Sequence, residues 1–435
     1  MNKNIKLAVA GAVLALSASA ANAGIIIPAG EWTIDINGNV NGYANWTSSD
    51  KVDTGLDSEG AAAGTGSAIA VGRDGLGNKS AKSIQTGLLP AWIGFTGKTR
   101  QNDLDVEFTI SLQPGISSDD VTGDSATGVG GGLNVGGRTR ASVLNRQTYL
   151  SFGDKSWGSI KIGKDLGIYA SDAILNDMTL LGVGSGAALS STLNSTAGGI
   201  GTGYQYAAWK GQIAYTTPNF SGFQATVGIT NPNQIDSTYY ENALGAMVGV
   251  YQPRFGLEGK ASYSFATDAA TGKVWMSGAS YNVRQWNGGD GVETKVSAYD
   301  IGANVNIANV GLTAYAYDGK GNGMTFLGYQ GLDSAGARRD GDGGYVQATY
   351  ALPTKTKIGI AYGESKLQGL AGDAVPVVAA GAIARKQERV TVGAYHPLTK
   401  HLNLVAEYSD VKIEGQATGS RNEYSTASLG AILFF

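Results

Sequence analysis

Apolar and polar residues alternate one for one along much of this chain, in stretches of about ten residues. Between 104 and 112, Leu104, Val106, Phe108, Ile110 and Leu112 share one parity, and Asp105, Glu107, Thr109 and Ser111 share the other. The same period returns with Phe223, Ala225, Val227 and Ile229 against Gln224, Thr226, Gly228 and Thr230. It returns again with Leu257, Ala261, Tyr263 and Phe265 against Glu258, Lys260, Ser262 and Ser264, and with Leu402, Leu404, Ala406 and Tyr408 against Asn403, Glu407 and Ser409. Successive side chains of a strand point to opposite faces, so each stretch predicts a strand with one greasy and one hydrated face.

Alternation also suits a soluble antiparallel sheet, which has one dry and one wet face. Strand and connection lengths favour a membrane barrel. The stretches run about 9 to 13 residues, the reach that crosses a bilayer at a tilt of about 45°, whereas soluble strands average five or six. Short turns at 153–155, 217–219, 252–254, 352–354 and 396–399 alternate with long Gly/Ser/Asp-rich loops, as in outer-membrane barrels. Strands are predicted near 31–47, 88–98, 103–112, 143–153, 156–164, 209–217, 221–230, 242–252, 255–266, 295–307, 309–318, 342–352, 355–366, 386–396, 400–412 and 423–435. That gives an all-β fold, a transmembrane antiparallel β-barrel of sixteen strands. A strand-like piece at 273–285 would make an odd count, so it is assigned to a long loop at 267–294; eighteen strands is the alternative. Other long loops fall at 48–87, 113–142, 165–208 and 319–341, and no domain boundary interrupts the pattern.

The first residues add a leader. Lys3 and Lys6 precede an apolar run at 7–16 and a small-residue end at Ala21, Asn22 and Ala23, the pattern of a signal peptide over 1–23, with a mature barrel domain over 24–435. The run is too short to span a ~30 Å bilayer core as a helix, and no later segment is long and apolar enough either. Without the two leader lysines, 30 basic and 35 acidic residues remain, a formal charge of −5 that points to no nucleic-acid partner. There is no cysteine, which removes disulfides and thiol catalysis, and His396 and His401 are the only histidines. The 21 tyrosines are scattered along the chain and suit positions between lipid and water. Tyr43, Trp46, Trp157, Tyr215, Tyr251, Tyr263, Tyr408 and Phe435 fall mostly near strand ends, where interface girdles lie.

Two stretches resemble the general diffusion porins of Gram-negative outer membranes. Arg146, Gln147, Thr148, Tyr149, Leu150, Ser151, Phe152 and Gly153, followed by Trp157, Gly158, Ser159, Ile160, Lys161, Ile162, Gly163 and Lys164, are similar to that family's fourth and fifth strands. The run from Ile213 through Pro218 to Phe223 is similar to its sixth strand, turn and seventh, and the chain ends on Phe435 as such barrels do. The resemblance implies a sixteen-stranded homotrimer with Phe435 read by the barrel-assembly machinery. It also implies a third external loop, 165–208, folded into the lumen to narrow it. On the same resemblance Asp177 stands where the constriction loop carries an acid and Arg146 where the wall carries an arginine. Leu181 and Trp92 depart from the family pattern, at a second loop acid and another wall arginine.

Parity places Asp105, Glu107, Lys161, Glu258, Lys260 and Glu407 on the inner face, where fixed charges replace hydration for a passing ion. Candidate constriction residues are Asp177, Arg146, Lys161, Asp172, Glu107 and Arg140, and Arg138 could join the basic side. A solvated wall or loop surface is the plainer reading of each. Asp318 to Gly323 and Asp340 to Gly344 faintly suggest calcium-loop spacing, but Asp-Gly pairs are ordinary turn chemistry, so no metal or cofactor is expected. Histidine poverty argues against an outer-membrane enzyme, and the lack of a plug domain against an adhesive barrel. A sugar-selective channel would need aromatics along the lumen, and parity finds no such row. The expected function is passive diffusion of small hydrophilic solutes and ions across the outer membrane; a substrate-selective channel is the alternative.

Overall fold

A computed structural model describes residues 24–51, 80–116, 143–186, 195–231, 240–241, 247–251, 254–287, 292–325, 331–333, 336–370, 384–416 and 421–435. The leader, and Arg138 and Arg140, lie outside these residues. Among the described residues twenty strands form one antiparallel sheet. In chain order they are β1 (Ile25–Ala29), β2 (Trp32–Lys51), β3 (Ser80–Gln85), β4 (Trp92–Gln101), β5 (Leu104–Pro114), β6 (Val143–Asp154), β7 (Gly158–Leu166), β8 (Trp209–Thr216), β9 (Phe223–Thr230) and β10 (Tyr240–Glu241). They continue as β11 (Met247–Tyr251), β12 (Gly256–Ala266), β13 (Ala270–Asn287), β14 (Val292–Ile307), β15 (Val310–Lys320), β16 (Asp340–Ala351), β17 (Lys357–Leu367), β18 (Ala384–Pro397), β19 (Leu402–Gly415) and β20 (Arg421–Phe434).

The sheet closes where β2 pairs with β20, Asn39 opposite Phe434, and Gly38 and Phe435 exchange backbone hydrogen bonds. Closure leaves no open edge around the wall. Sixteen wall positions result, because β3 and β4 both pair with β2 and share one position, while β1, β10 and β11 are short additions at the rims. The parity rule holds around the ring. Phe95, Ile110, Leu150, Ile162, Ile213, Val227, Leu257, Ile301, Leu312, Val346, Ile360, Val392 and Leu429 stand exposed on the outer face. Trp46, Trp157, Tyr215, Tyr263 and Tyr408 are exposed with them. Tyr43 instead is buried and donates its hydroxyl to Leu181 O inside the barrel (2.5 Å), a correction to its place in the girdle.

Two wall assignments are also corrected, and their effects on the count cancel. Among its described residues the stretch at 242–252 gives no wall strand: β11 pairs with the two-residue β10 and with the end of β13, Val248 opposite Asn287 to Tyr251 opposite Arg284. Instead β9 pairs directly with β12, Thr230 opposite Gly256. The piece at 273–285 lies within β13, a full wall strand that pairs with β12 and β14, so the long loop at 267–294 does not exist. Parity misled there because Trp275, Ala279, Tyr281 and Val283 are buried on the inner side, where polar residues were expected. The turn expected at 252–254 lies largely outside the described residues. A further difference is a break in the wall: residues 86–91 leave the sheet between β3 and β4 and turn inward.

Candidate functional site

Residues 167–208 connect β7 to β8, and the described ones, 167–186 and 195–208, fold inward, closed at the neck by Gly167 N–H donating to Ala208 O (2.8 Å). Nearly every described residue of this loop is buried. It carries one helical turn, α1 (Ser171–Leu175), and a 3-10 turn over Met178–Leu181. A loop without a sheet or long helix must satisfy its backbone elsewhere, and here the inner wall supplies the partners.

Two wall carboxylates do so in the same manner. Glu258 Oε2 accepts from Ile168 N–H (2.7 Å) and Tyr169 N–H (2.9 Å), while its Oε1 accepts from Lys210 Nζ (2.6 Å) and from Tyr281. Glu407 Oε2 accepts from Val183 N–H (2.7 Å) and Gly184 N–H (2.8 Å), while its Oε1 accepts from Tyr395 (2.6 Å). Between these clamps, Gln347 accepts from Met178 N–H (2.9 Å) and donates to Asn176 O (2.7 Å), and Tyr345 donates to Ala173 O (2.8 Å). The returning limb is held by Gly203 N–H donating to Ser365 (3.0 Å) and by Gln205 donating to Asn322 O and Gly323 O (both 2.8 Å). The inward turn at 86–91 serves the loop as well: Leu88 N–H donates to Gly182 O (2.8 Å) and Leu89 N–H to Leu180 O (3.2 Å). Gly87 is required there, since a Cβ would stand 2.2 Å from Gly182 O.

Among the candidate residues, Asp177 and Arg146 do not meet. Asp177 caps the 3-10 turn, accepting from Thr179 N–H (2.9 Å) and from Tyr204 (2.8 Å), and faces Arg389 Nη2 at 3.6 Å. Burial, reinforced by Asp177, pushes the Tyr204 phenol up, so it remains a proton donor. Arg146 is buried between two indoles, its guanidinium 4.8 Å from the Trp92 ring and 4.2 Å from the Trp209 ring, and donates to Gln147 (2.9 Å). Gln147 donates to Asp165 (2.9 Å), which also takes Lys161. Glu107 accepts from Tyr149 (3.1 Å) and faces Lys98 at 3.3 Å. Leu181 is buried against the wall. Arg389 and the two clamping glutamates had no local signal as a site; only inward parity marked Glu258 and Glu407.

Asp172 lies on α1, held by Lys273 and by Lys260 (3.4 Å). Burial opposes its ionisation, but the two lysines outweigh burial and hold the carboxyl below its usual range. A carboxyl depressed in the folded state contributes stability above its unfolded value of about 3.9, and that contribution is lost as pH falls through the folded value. Lys273→Met is therefore expected to shift acid loss of the heat-resistant barrel to higher pH, read by gel mobility across a pH series. Superimposable wild-type and variant profiles would contradict this.

An inner row of aromatics does exist, which corrects the parity reading. The Tyr315 and Tyr345 rings stack at 5.5 Å, Tyr315 lies 6.3 Å from Tyr317, and Tyr204 of the loop meets Tyr345 edge-on at 5.7 Å. These rings are buried beneath the loop and hold it, so they offer no sliding surface. The accessible inner wall lies elsewhere. At the short-turn end, β2, β4–β7, β9 and their turns line an open cavity of about 780 Å³ that includes Lys98, Arg100, Asp105, Glu107, Asp154 and Gln224. Arg100 there bridges Asp105 (2.8 Å) and Asp154 (2.9 Å). Among the described residues no three His, Asp or Glu side chains converge to hold a metal.

A closed barrel, greasy outside and charged inside, narrowed by an inward loop after its fifth wall strand, defines a membrane channel of the porin class. The Gram-negative porin family model matches residues 10–416, and the chain belongs to that family. It is accordingly a non-enzymatic outer-membrane channel for small solutes. Solved structures agree on the fold. The outer membrane channel DcaP of Acinetobacter baumannii aligns at TM-score 0.60 and 16% identity, over 95% of this chain and 100% of that one. An anion-selective porin from Comamonas acidovorans aligns at 0.55 and 15%, over 93% and 100%. OmpT of Vibrio cholerae, in a trimer form, aligns at 0.53 and 12%, over 93% and 99%. No curated protein matches the sequence.

Proposed function

We propose that this porin is a general diffusion channel whose inward loop is a fixed partition, passing small hydrophilic solutes along the wall formed by β4–β9. The observation that carries this reading is the asymmetry of the lumen. The loop is bound to β12–β19 by buried carboxylates and aromatic hydroxyls, while the most exposed inner charges, of both signs, lie on β4–β7, and Lys260 and Lys273 on the loop side are engaged by Asp172. Mixed charge at close spacing suits hydrated solutes without strong preference for one ion sign. The buried aromatics do not favour a sugar-selective path.

The same reading has the chain cleaved after Ala23, its Phe435 end recognised during barrel assembly, and three copies associating in lipid. The V. cholerae trimer form supports the last point for a protein of this fold. Liposome swelling tests the diffusion claim: protein refolded from Gly24 onward should admit neutral sugars at rates that fall smoothly with their size. Saturable uptake of one solute, with others of equal size excluded, would replace it with a selective channel.

A further inference from the structure

The loop acid and wall arginine implied by family resemblance are both withdrawn from water. The Asp177 side chain is 1% exposed and that of its partner Arg389 2%, and Arg146 is closed between two indoles. The side chains of Lys98, Arg100 and Asp105 are 58%, 48% and 54% exposed, and that of Glu107 is 28% exposed. All four line the cavity at the short-turn end, which is the periplasmic end of an outer-membrane barrel. We propose that ion selectivity is set in this vestibule, by Lys98, Arg100, Asp105 and Glu107, and not by charges on the inward loop. The proposal rests on the channel reading above.

The physical case is one of accessibility and net charge. A buried acid already matched by a guanidinium and a phenol presents little net field to a passing ion. A charge in contact with water acts over about 10 Å at 0.1 M salt, a distance comparable to a narrow lumen. The register places these residues in two adjacent rows: Lys98 stands opposite Glu107 across β4 and β5, and Arg100 opposite Asp105. An ion leaving along this wall passes both rows. Within the cavity, Lys98, Arg100 and Lys155 face Glu31, Asp105, Glu107 and Asp154, a net charge of −1. Near-balance gives weak cation preference in the native protein, and reversal of one charge moves the net by two.

The test is the reversal potential across a planar bilayer under a potassium chloride gradient. Both charge reversals sit at solvent-exposed or half-exposed positions. Lys98→Glu is expected to raise the cation-to-anion permeability ratio and Glu107→Lys to lower it, each by at least several-fold, since the net charge moves by two and salt attenuates the contact interaction in water. The paired variant Asp177→Asn with Arg389→Gln, which removes the buried charges together and strands neither, should leave the ratio at the native value. Native-like reversal potentials in both vestibule variants would overturn the proposal, as would a shift as large as theirs in the paired Asp177→Asn, Arg389→Gln variant. Native protein without current would overturn the channel reading and the vestibule filter together, which separates that failure from failure of the filter alone.

Discussion

Glu407→Ala is expected to destabilise the barrel by about 3–5 kcal/mol, since it leaves three buried donors without an acceptor and each costs about 1–3 kcal/mol before relaxation. The donors are Val183 N–H, Gly184 N–H and the Tyr395 hydroxyl. None of them has water within easy reach, because Val183 and Tyr395 are buried in the cluster beneath the loop. Glu407→Gln should cost only about 1 kcal/mol, because the amide oxygen can still accept from the two backbone groups while its NH2 turns to the tyrosine oxygen. Urea unfolding in detergent, read by the loss of heat-modifiable gel mobility, measures both. Equal stability of the alanine and glutamine variants would show that the carboxylate does not clamp the loop. The alanine variant should also give noisier single-channel current, since the far limb of the partition loses its anchor.

The neck of the loop yields the second large effect. Lys210 and Glu258 form an ion pair at 2.6 Å with side chains 5% and 0% exposed. Removing one partner of a buried pair strands the other charge, at a cost of about 3–5 kcal/mol. Lys210→Met is expected to show that loss in the same unfolding assay. Adding Glu258→Gln should recover much of it, because the remaining amide oxygen still accepts from Ile168 N–H and Tyr169 N–H. If the double variant is less stable than Lys210→Met by the full effect of Glu258→Gln alone, the two residues act independently and the clamp is misassigned.

These two clamps mark the boundary of what the sequence makes legible. The two-residue period identifies the barrel, because every wall strand must keep an apolar face to lipid. It fails in β13, where the inner face carries Trp275, Tyr281 and Val283 because it packs under the loop rather than against water. Parity also places Glu107 and Glu258 on the inner face without separating them. The loop lies against the wall that carries Glu258 and away from the one that carries Glu107, so one is a buried anchor and the other an accessible charge. No local pattern reveals this, since the contacts join residues 90 apart for Ile168 and Glu258 and 224 apart for Val183 and Glu407. The inward turn at 86–91 escaped for the same reason: Leu88 and Leu89 read as strand residues, and only their bonds to Leu180 and Gly182 take them out of the wall.

The central claim is an open channel with a fixed inner partition, and single-channel recording in a planar bilayer tests it most directly. The account predicts stepwise current in groups of three, steady within each open level, with a small reversal potential under a salt gradient. A folded, heat-resistant barrel that carries no current would contradict it.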